Sequence, residues 1–313
     1  MGERLVESIH IDESGSCKRH IHPTGTVHVF GVRIIKFDPD VIHAVHVRNW
    51  SALVAANEED VPTALSTYAL ELEERALAAA SIAAADVVHA ISEFTASLVR
   101  DAAPGPVETR LIHPSIDVDQ YRDANEQIGE VEDGSVMTMA RFVDRKNIET
   151  VIRAWTRLDS ELTESRDLVV AGDGPDRDEL EQLADDRDDI QFVGWVNGTE
   201  KEELLASATA FTLVPRRDEF DVEGFGIVYI EAQAAGTPVV GSKHGGAPEA
   251  IGDAGIIVDD ETDPAEVADA IETLLDAERR QPYEENACAR IDRFDIPAIT
   301  EEFAELYDDL LLE

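Results

Sequence analysis

Glu223 and Glu231 stand eight positions apart, with the turn Gly224-Phe225-Gly226 directly after the first of them. The glycines precede an apolar stretch that reads as a helix start. Free backbone N–H groups at a helix start, together with the helix dipole, form a site for a phosphate. Glycine there lets an anion approach the backbone closely. Each carboxylate is a double hydrogen-bond acceptor, suited to hydroxyl groups. Two acids in a chain with 67 Asp and Glu carry no weight alone. Their order with the following residues does. Ala234-Ala235-Gly236-Thr237-Pro238-Val239-Val240 comes next, and then Gly245-Gly246-Ala247-Pro248-Glu249.

The elements that must hold these residues follow from hydrophobic periodicity. From about residue 134 the chain alternates strand and helix. Strands are expected over 136–140, 168–171, 190–193, 211–214, 239–240 and 256–258, with helices over 147–158, 178–184 and 199–207. The Glu231 helix should end near Gly236, a C-cap glycine. Asp263-Pro264 opens a further helix. Such alternation predicts a parallel sheet covered on both faces. The earlier part reads the same way in outline. A strand is expected over 41–44, an Ala-rich helix over 71–84, and a strand over 86–91. Ser92 is a natural N-cap for a helix through Arg100, and a strand follows at 111–112. The charged stretch 121–133 reads as an interdomain linker.

Composition bounds the rest. The chain has 313 residues, enough for two domains, and 43% are hydrophobic, enough for a sizeable core. No run of about 18 apolar residues is present, so no transmembrane helix is expected. No secretory signal is visible, and Cys17 and Cys288 lack any motif, which fits a reduced cytoplasm. The formal net charge is −41. That excludes nucleic acid as a partner, whose phosphates demand Lys and Arg, and disfavours electrostatic docking on anionic lipid. Lysine is confined to Lys18, Lys36, Lys146, Lys201 and Lys243. This balance resembles that of proteins from salt-accumulating haloarchaea, in which concentrated salt screens self-repulsion.

The ordered set from Glu223 to Glu249 resembles the Glu-x7-Glu signature of nucleotide-sugar glycosyltransferases of the family 4 type. Asp40-Val41-Ile42-His43, Met139-Ala140-Arg141 with Lys146, Gly172-Asp173-Gly174-Pro175 and Phe192-Val193-Gly194 fall at matching intervals. The resemblance implies an α/β protein of two Rossmann-like domains, the GT-B fold. Residues 1–128 would form the acceptor-side domain, residues 129–290 the nucleotide-sugar domain, and residues 291–313 a helix packing back toward the first. The family begins with a glycine-rich βα unit. Only 39 residues precede Asp40 here, so the first domain is expected to be abbreviated, with Gly15 as a weak stand-in for that loop. Tyr68 takes the place of the family's histidine, and Ala140 that of a glycine.

The resemblance also implies the chemistry. Transfer from a nucleotide sugar builds negative charge on the leaving diphosphate, and preorganised cations stabilise it. Arg141 and Lys146 are placed to supply them. Gly224, Phe225, Gly226 and Ile227 would bind the donor phosphates, Glu231 the ribose, and backbone near Gly194 the base. Glu223 would lie at the transferred sugar. Family 4 enzymes retain configuration, with the diphosphate assisting deprotonation of the acceptor, and GT-B enzymes need no metal. No cofactor beyond the nucleoside diphosphate sugar is expected. Asp117-Val118-Asp119 is ordinary in so Asp-rich a chain, and His20, His22 and His28 lack cysteine partners for zinc. Lys243 and His244 are open to a donor contact, and His43, His46 and Tyr68 either to the cleft or to packing. The expectation is a cytoplasmic, metal-independent, retaining hexosyltransferase acting on a glycan or lipid-linked acceptor, with peripheral contact at the inner membrane face left open. The alternative is a non-catalytic nucleotide-sugar-binding or accessory protein derived from such an enzyme.

Overall fold

The computed structural model describes residues 10–11, 17–18, 39–129, 131, 134–185, 187–218 and 222–312. Gly15, His20, His22 and His28 lie outside them. The chain divides into two compact units. Unit 1 comprises Met1–Ala90, Ala96–Leu111 and Phe303–Glu313; unit 2 comprises Ile91–Thr95 and Ile112–Glu302.

Unit 1 holds a two-residue antiparallel pair, β1 (His10–Ile11) and β2 (Cys17–Lys18). Its main sheet has four parallel strands: β3 (Ile42–Ala44), β4 (Thr63–Thr67), β5 (Val87–Ala90) and β6 (Glu108–Leu111), in that order. Every residue of β4 and β5 is buried, as inner strands of a two-sided parallel sheet require. Helices Trp50–Asn57, Arg75–Ala83 and Glu93–Ala102 accompany it. Leu53, Leu65, Ala78, Ile82, Val88 and Val99 make the core. Ser92 caps the third of these helices, its Oγ accepting from Thr95 N–H at 3.0 Å. Strand β4 and helix Trp50–Asn57 escaped the sequence reading. Both are short and lack a sustained apolar period.

Unit 2 contains six parallel strands: β7 (Ser135–Met139), β8 (Leu168–Ala171), β9 (Ile190–Gly194), β10 (Ala208–Leu213), β11 (Val239–Ser242) and β12 (Gly255–Val258). Their order is β12-β11-β10-β7-β8-β9. Phe211 pairs with Met137 on one side and Val239 on the other, which sets the central register. This is the doubly wound Rossmann order, whose direction of winding reverses between β7 and β10. In such sheets ligands bind outside the carboxyl ends of the strands at that reversal. Trp155, Phe211, Tyr229, Met137 and Leu168 are among the fully buried side chains of this unit.

The stretch 121–133 is no simple linker. Its first part belongs to helix Val118–Ile128, which buries Val118, Tyr121 and Ala124. Asp117 caps that helix, accepting from Gln120 N–H at 3.3 Å. The Asp-x-Asp at 117–119 is therefore a helix start. The wide polar face of this helix hid its narrow apolar stripe. The last helix, Ile296–Leu310, begins in unit 2 and ends in unit 1.

Candidate functional site

The loops after β7 and β10 flank the reversal point, and they carry the charged residues. After β7 the chain makes a single tight turn, Asp144–Lys146, closed by Asn147 in the left-handed conformation at φ 54°. Asparagine tolerates that conformation better than most residues. Its buried amide donates to the carbonyls of Val214 at 2.9 Å and Glu261 at 2.7 Å. It thereby ties the β7 loop to the end of β10. Arg216 adds a second tie, its N–H donating to the Arg145 carbonyl at 2.8 Å and its guanidinium meeting Asp144 at 2.5 Å.

This turn delivers two cations to one carboxylate. Lys146 Nζ donates to Glu223 Oε2, and Arg145 Nη1 reaches the same oxygen at 3.2 Å. The three side chains are only 16%, 15% and 17% exposed for Glu223, Arg145 and Lys146. Burial by itself would raise the Glu223 carboxyl. Lys146 and then Arg145 outweigh it and hold the group below the ordinary carboxylate range. Arg145, Lys146 and Glu223 sum to one positive charge.

Gly226 opens helix Ile227–Ala234 in the left-handed region at φ 91°, with no side chain capping the helix. A side chain at Gly245 or Gly246 would collide with backbone. A Cβ would lie 2.0 Å from the Glu223 carbonyl oxygen at Gly245, and 2.1 Å from that of Gly224 at Gly246. Gly246 N–H donates to the Glu223 carbonyl at 2.9 Å. The second glycine turn thus braces the first. Glu249, which follows it, accepts from Glu93 N–H at 2.8 Å and His113 Nε2 at 2.6 Å, and Ser92 Oγ donates to the Gly224 carbonyl at 2.7 Å.

The remaining sequence-derived residues fall in different places. Phe225 is buried against His113 and Phe294, with ring centroids at 5.3 Å and 5.8 Å, so only its backbone is presented. Ile227 is exposed. Glu231 is the fifth residue of its helix, one turn in. Lys201, from helix Thr199–Ala206, donates to Glu231 Oε1 at 2.6 Å and lies 5.5 Å over the Tyr121 ring. Burial first, and then Glu231, pushes the Tyr121 phenol up. Gly194 ends β9 at φ 77°, two strands from β7, and is followed by exposed Trp195. Arg141 is exposed and its side chain forms no ion pair among the described residues. His244 pairs with Glu261 at 2.9 Å and Lys243 with Asp259 at 3.6 Å. Arg145, Asn147, Lys201 and Arg216 were missed. The scarcity of lysine was the one signal that pointed toward Lys201.

Residues 122–290 match the model of a family described as glycosyl transferases group 1. The chain is 33% identical over 210 residues to the GDP-mannose-dependent alpha-(1-6)-phosphatidylinositol monomannoside mannosyltransferase of Mycolicibacterium smegmatis, covering 63% of this chain and 54% of that protein. It is 32% identical over 293 residues to D-inositol 3-phosphate glycosyltransferase 2 of Catenulispora acidiphila, covering 85% of this chain and 64% of that one. The chain thus spans little more than half the length of the first of these. Among solved structures, Anabaena HepE in complex with UDP superposes with a TM-score of 0.74 at 22% identity, covering 86% of this chain and 79% of that one. That likeness shows the fold, GT-B with two Rossmann-like domains.

Proposed function

The chain belongs to the group 1 glycosyl transferases, and from its charged cluster we propose that it moves a sugar from a nucleoside diphosphate sugar to a hydroxyl-bearing acceptor. The observation that carries this is the convergence of Lys146 and Arg145 on Glu223 at the reversal point of the sheet, beside a helix opened by glycine. The cluster's surplus positive charge faces what a leaving diphosphate demands. Its cations are preorganised by Asn147 and by Glu223 itself, so little reorganisation is needed when charge develops. The uncapped N–H groups after Gly226 offer further donors to phosphate oxygens. Glu231 would take the ribose hydroxyls, and Gly194 backbone the base. Glu223 would stabilise positive character at the anomeric carbon.

The finer reading is a retaining transfer without a metal, supported by the two side-chain cations that meet Glu223. Deprotonation of the acceptor falls to the leaving diphosphate, since no side chain among these residues is placed as a base. The acceptor is a glycan or a lipid-linked glycan. Reaction in the cytoplasm is proposed, with peripheral membrane contact if the acceptor is lipid-linked; no helix among the described residues is long and apolar enough to cross a membrane. The charge of −41 supports a halophilic protein that requires salt to fold.

The test is calorimetry of GDP, UDP and GDP-mannose with the full chain in concentrated potassium chloride. Binding of a nucleoside diphosphate without divalent ions is expected. Binding that appears only with added magnesium or manganese would overturn the metal-free reading. Donor binding with no transfer to any sugar acceptor would favour an accessory role.

A further inference from the structure

Glu231 is met by side chains from two other helices of unit 2. It stands on helix Ile227–Ala234, Lys201 on helix Thr199–Ala206 and Tyr121 on helix Val118–Ile128. Lys201 Nζ donates to Glu231 Oε1 at 2.6 Å, and the two side chains are only 21% and 14% exposed. The same ammonium lies 5.5 Å over the Tyr121 ring. Burial first, then the charge of Glu231 and a hydrogen bond to it, push the Tyr121 phenol up. The phenol therefore keeps its proton and serves Glu231 as a donor.

Lysine is an awkward residue for this place. Lys201 is the third residue of its helix, in the turn whose backbone N–H groups carry partial positive charge and disfavour a cation. Its neighbours Glu200 and Glu202 suit that turn; Lys201 does not. Ordering so long a side chain also costs much rotamer freedom. Local helix energetics do not select Lys201, so its contact with Glu231 is the reason for it. That contact also limits what Glu231 can take up. A carboxylate offers about four acceptor sites on its two oxygens. Lys201 occupies one and Tyr121 another. About two remain, which is what a vicinal diol requires, one for each hydroxyl. A glutamate left to itself samples several rotamers and meets a diol in many orientations. The ammonium and the phenol hold one.

We propose that Lys201 and Tyr121 are positioning residues that hold Glu231 for a ribose diol, and that they set the preference of this chain for a ribonucleotide over a deoxyribonucleotide. This rests on the reading of the chain as a nucleotide-sugar transferase with Glu231 at the ribose. Calorimetry on the full chain in concentrated potassium chloride tests it, with GDP and UDP each compared with its 2′,3′-dideoxy counterpart. The wild type should bind the ribonucleotide about tenfold or more tighter. Lys201→Ala should weaken the ribonucleotide about tenfold and leave the dideoxynucleotide nearly as it was, so that the preference collapses. Lys201→Arg should restore most of it. Tyr121→Phe keeps the ring and its packing, and should lower the preference about threefold. It carries the same test where Lys201→Ala disturbs the helices. A lysine that merely braced the fold would weaken both nucleotides alike and leave their ratio unchanged. That result, or a preference untouched by both Lys201→Ala and Tyr121→Phe, would overturn the proposal and leave the transferase reading standing. Equal affinity of the wild type for both members of each pair would overturn it together with the ribose assignment of Glu231. No binding of any nucleoside diphosphate would overturn it together with the transferase reading.

Discussion

At the strand ends of unit 2, Lys146 and Arg145 meet Glu223, and Lys201 meets Glu231. In the sheet of unit 1, histidines and hydroxyls meet one another instead. Tyr307 Oη lies 2.7 Å from His43 Nδ1, His43 Nε2 lies 2.8 Å from Ser66 Oγ, and the same Oγ lies 2.8 Å from His89 Nδ1. A hydroxyl carries one proton and two lone pairs, so Ser66 can link both rings at once. Phe303 closes the group, its ring 4.9 Å from that of His89. The contrast separates two uses of similar sheets. Of the three lysines with described side chains, two are paired with the two glutamates of the signature. Even within unit 2 the pairs differ. Two cations meet Glu223, whereas one meets Glu231.

The largest expected effect follows from that difference. Lys146→Ala should weaken nucleoside diphosphate binding by about 2–5 kcal/mol, because the pair is partly buried and Glu223 would keep one partner only. Arg145→Ala should cost somewhat less at its longer 3.2 Å contact. Arg141→Ala, at an exposed position, should cost least. Calorimetry giving all three variants wild-type affinity would erase the distinction between the two sheets.

Next in size is the split between the glutamates. Glu231→Gln keeps the size but removes the charge proposed to receive the ribose. It should weaken donor binding by about 1.5–3 kcal/mol and appear chiefly in KM. Glu223→Gln should appear chiefly in kcat, since its contact strengthens as the anomeric carbon becomes positive. The same change in KM for both variants, with kcat untouched, would mean that the two pairs do one job.

Most of unit 2 could be read from the sequence because its strands are short apolar runs bounded by glycine turns. Leu168-Val169-Val170-Ala171 is a strand to the residue. The signature glutamates and glycines were legible for the same reason: their spacing is set by one helix start. Arg145 was not, because a tight turn decides which of Arg141, Arg145 and Lys146 faces inward, and that turn is fixed by Asn147 reaching residues far along the chain. Helix Val118–Ile128 was hidden by its acids. In unit 1, β4 was hidden because Thr63, Ser66 and Thr67 are polar yet buried, satisfied by Asp86, by histidines and by backbone.

Acid should act on unit 1 through its neutral cluster. Burial, and then His89, lowers the His43 pKa from 6.5 to about 4. Between those values the unfolded chain binds a proton that the folded chain refuses. His43 therefore contributes its full stability above pH 6.5, and that contribution is lost as pH falls toward 4. The loss is on the order of 1–3 kcal/mol. His43→Gln should flatten this limb of a plot of urea midpoint against pH, while the limb set by Glu223 remains. That limb is opposite in kind: a depressed carboxyl keeps its stabilising charge until the pH falls below the ordinary carboxylate range. An acid limb unchanged by His43→Gln would show that the neutral cluster is not what distinguishes unit 1.

The smallest effect tests the strain that unit 1 holds at Ala69. Ala69→Gly should relieve a strain of roughly 1–3 kcal/mol at φ 103°. Glycine gives back about 0.5–1 kcal/mol through the freedom it restores to the unfolded chain. The net expectation is a protein more stable by about 1 kcal/mol, read as a rise in the urea midpoint at fixed salt. Nucleoside diphosphate binding should stay as it was, because Ala69 belongs to unit 1 and Lys146 and Glu223 to unit 2. A midpoint that does not rise would show that the turn at Ala69 stores no strain, and that unit 1 differs from unit 2 in its charges and not in its backbone.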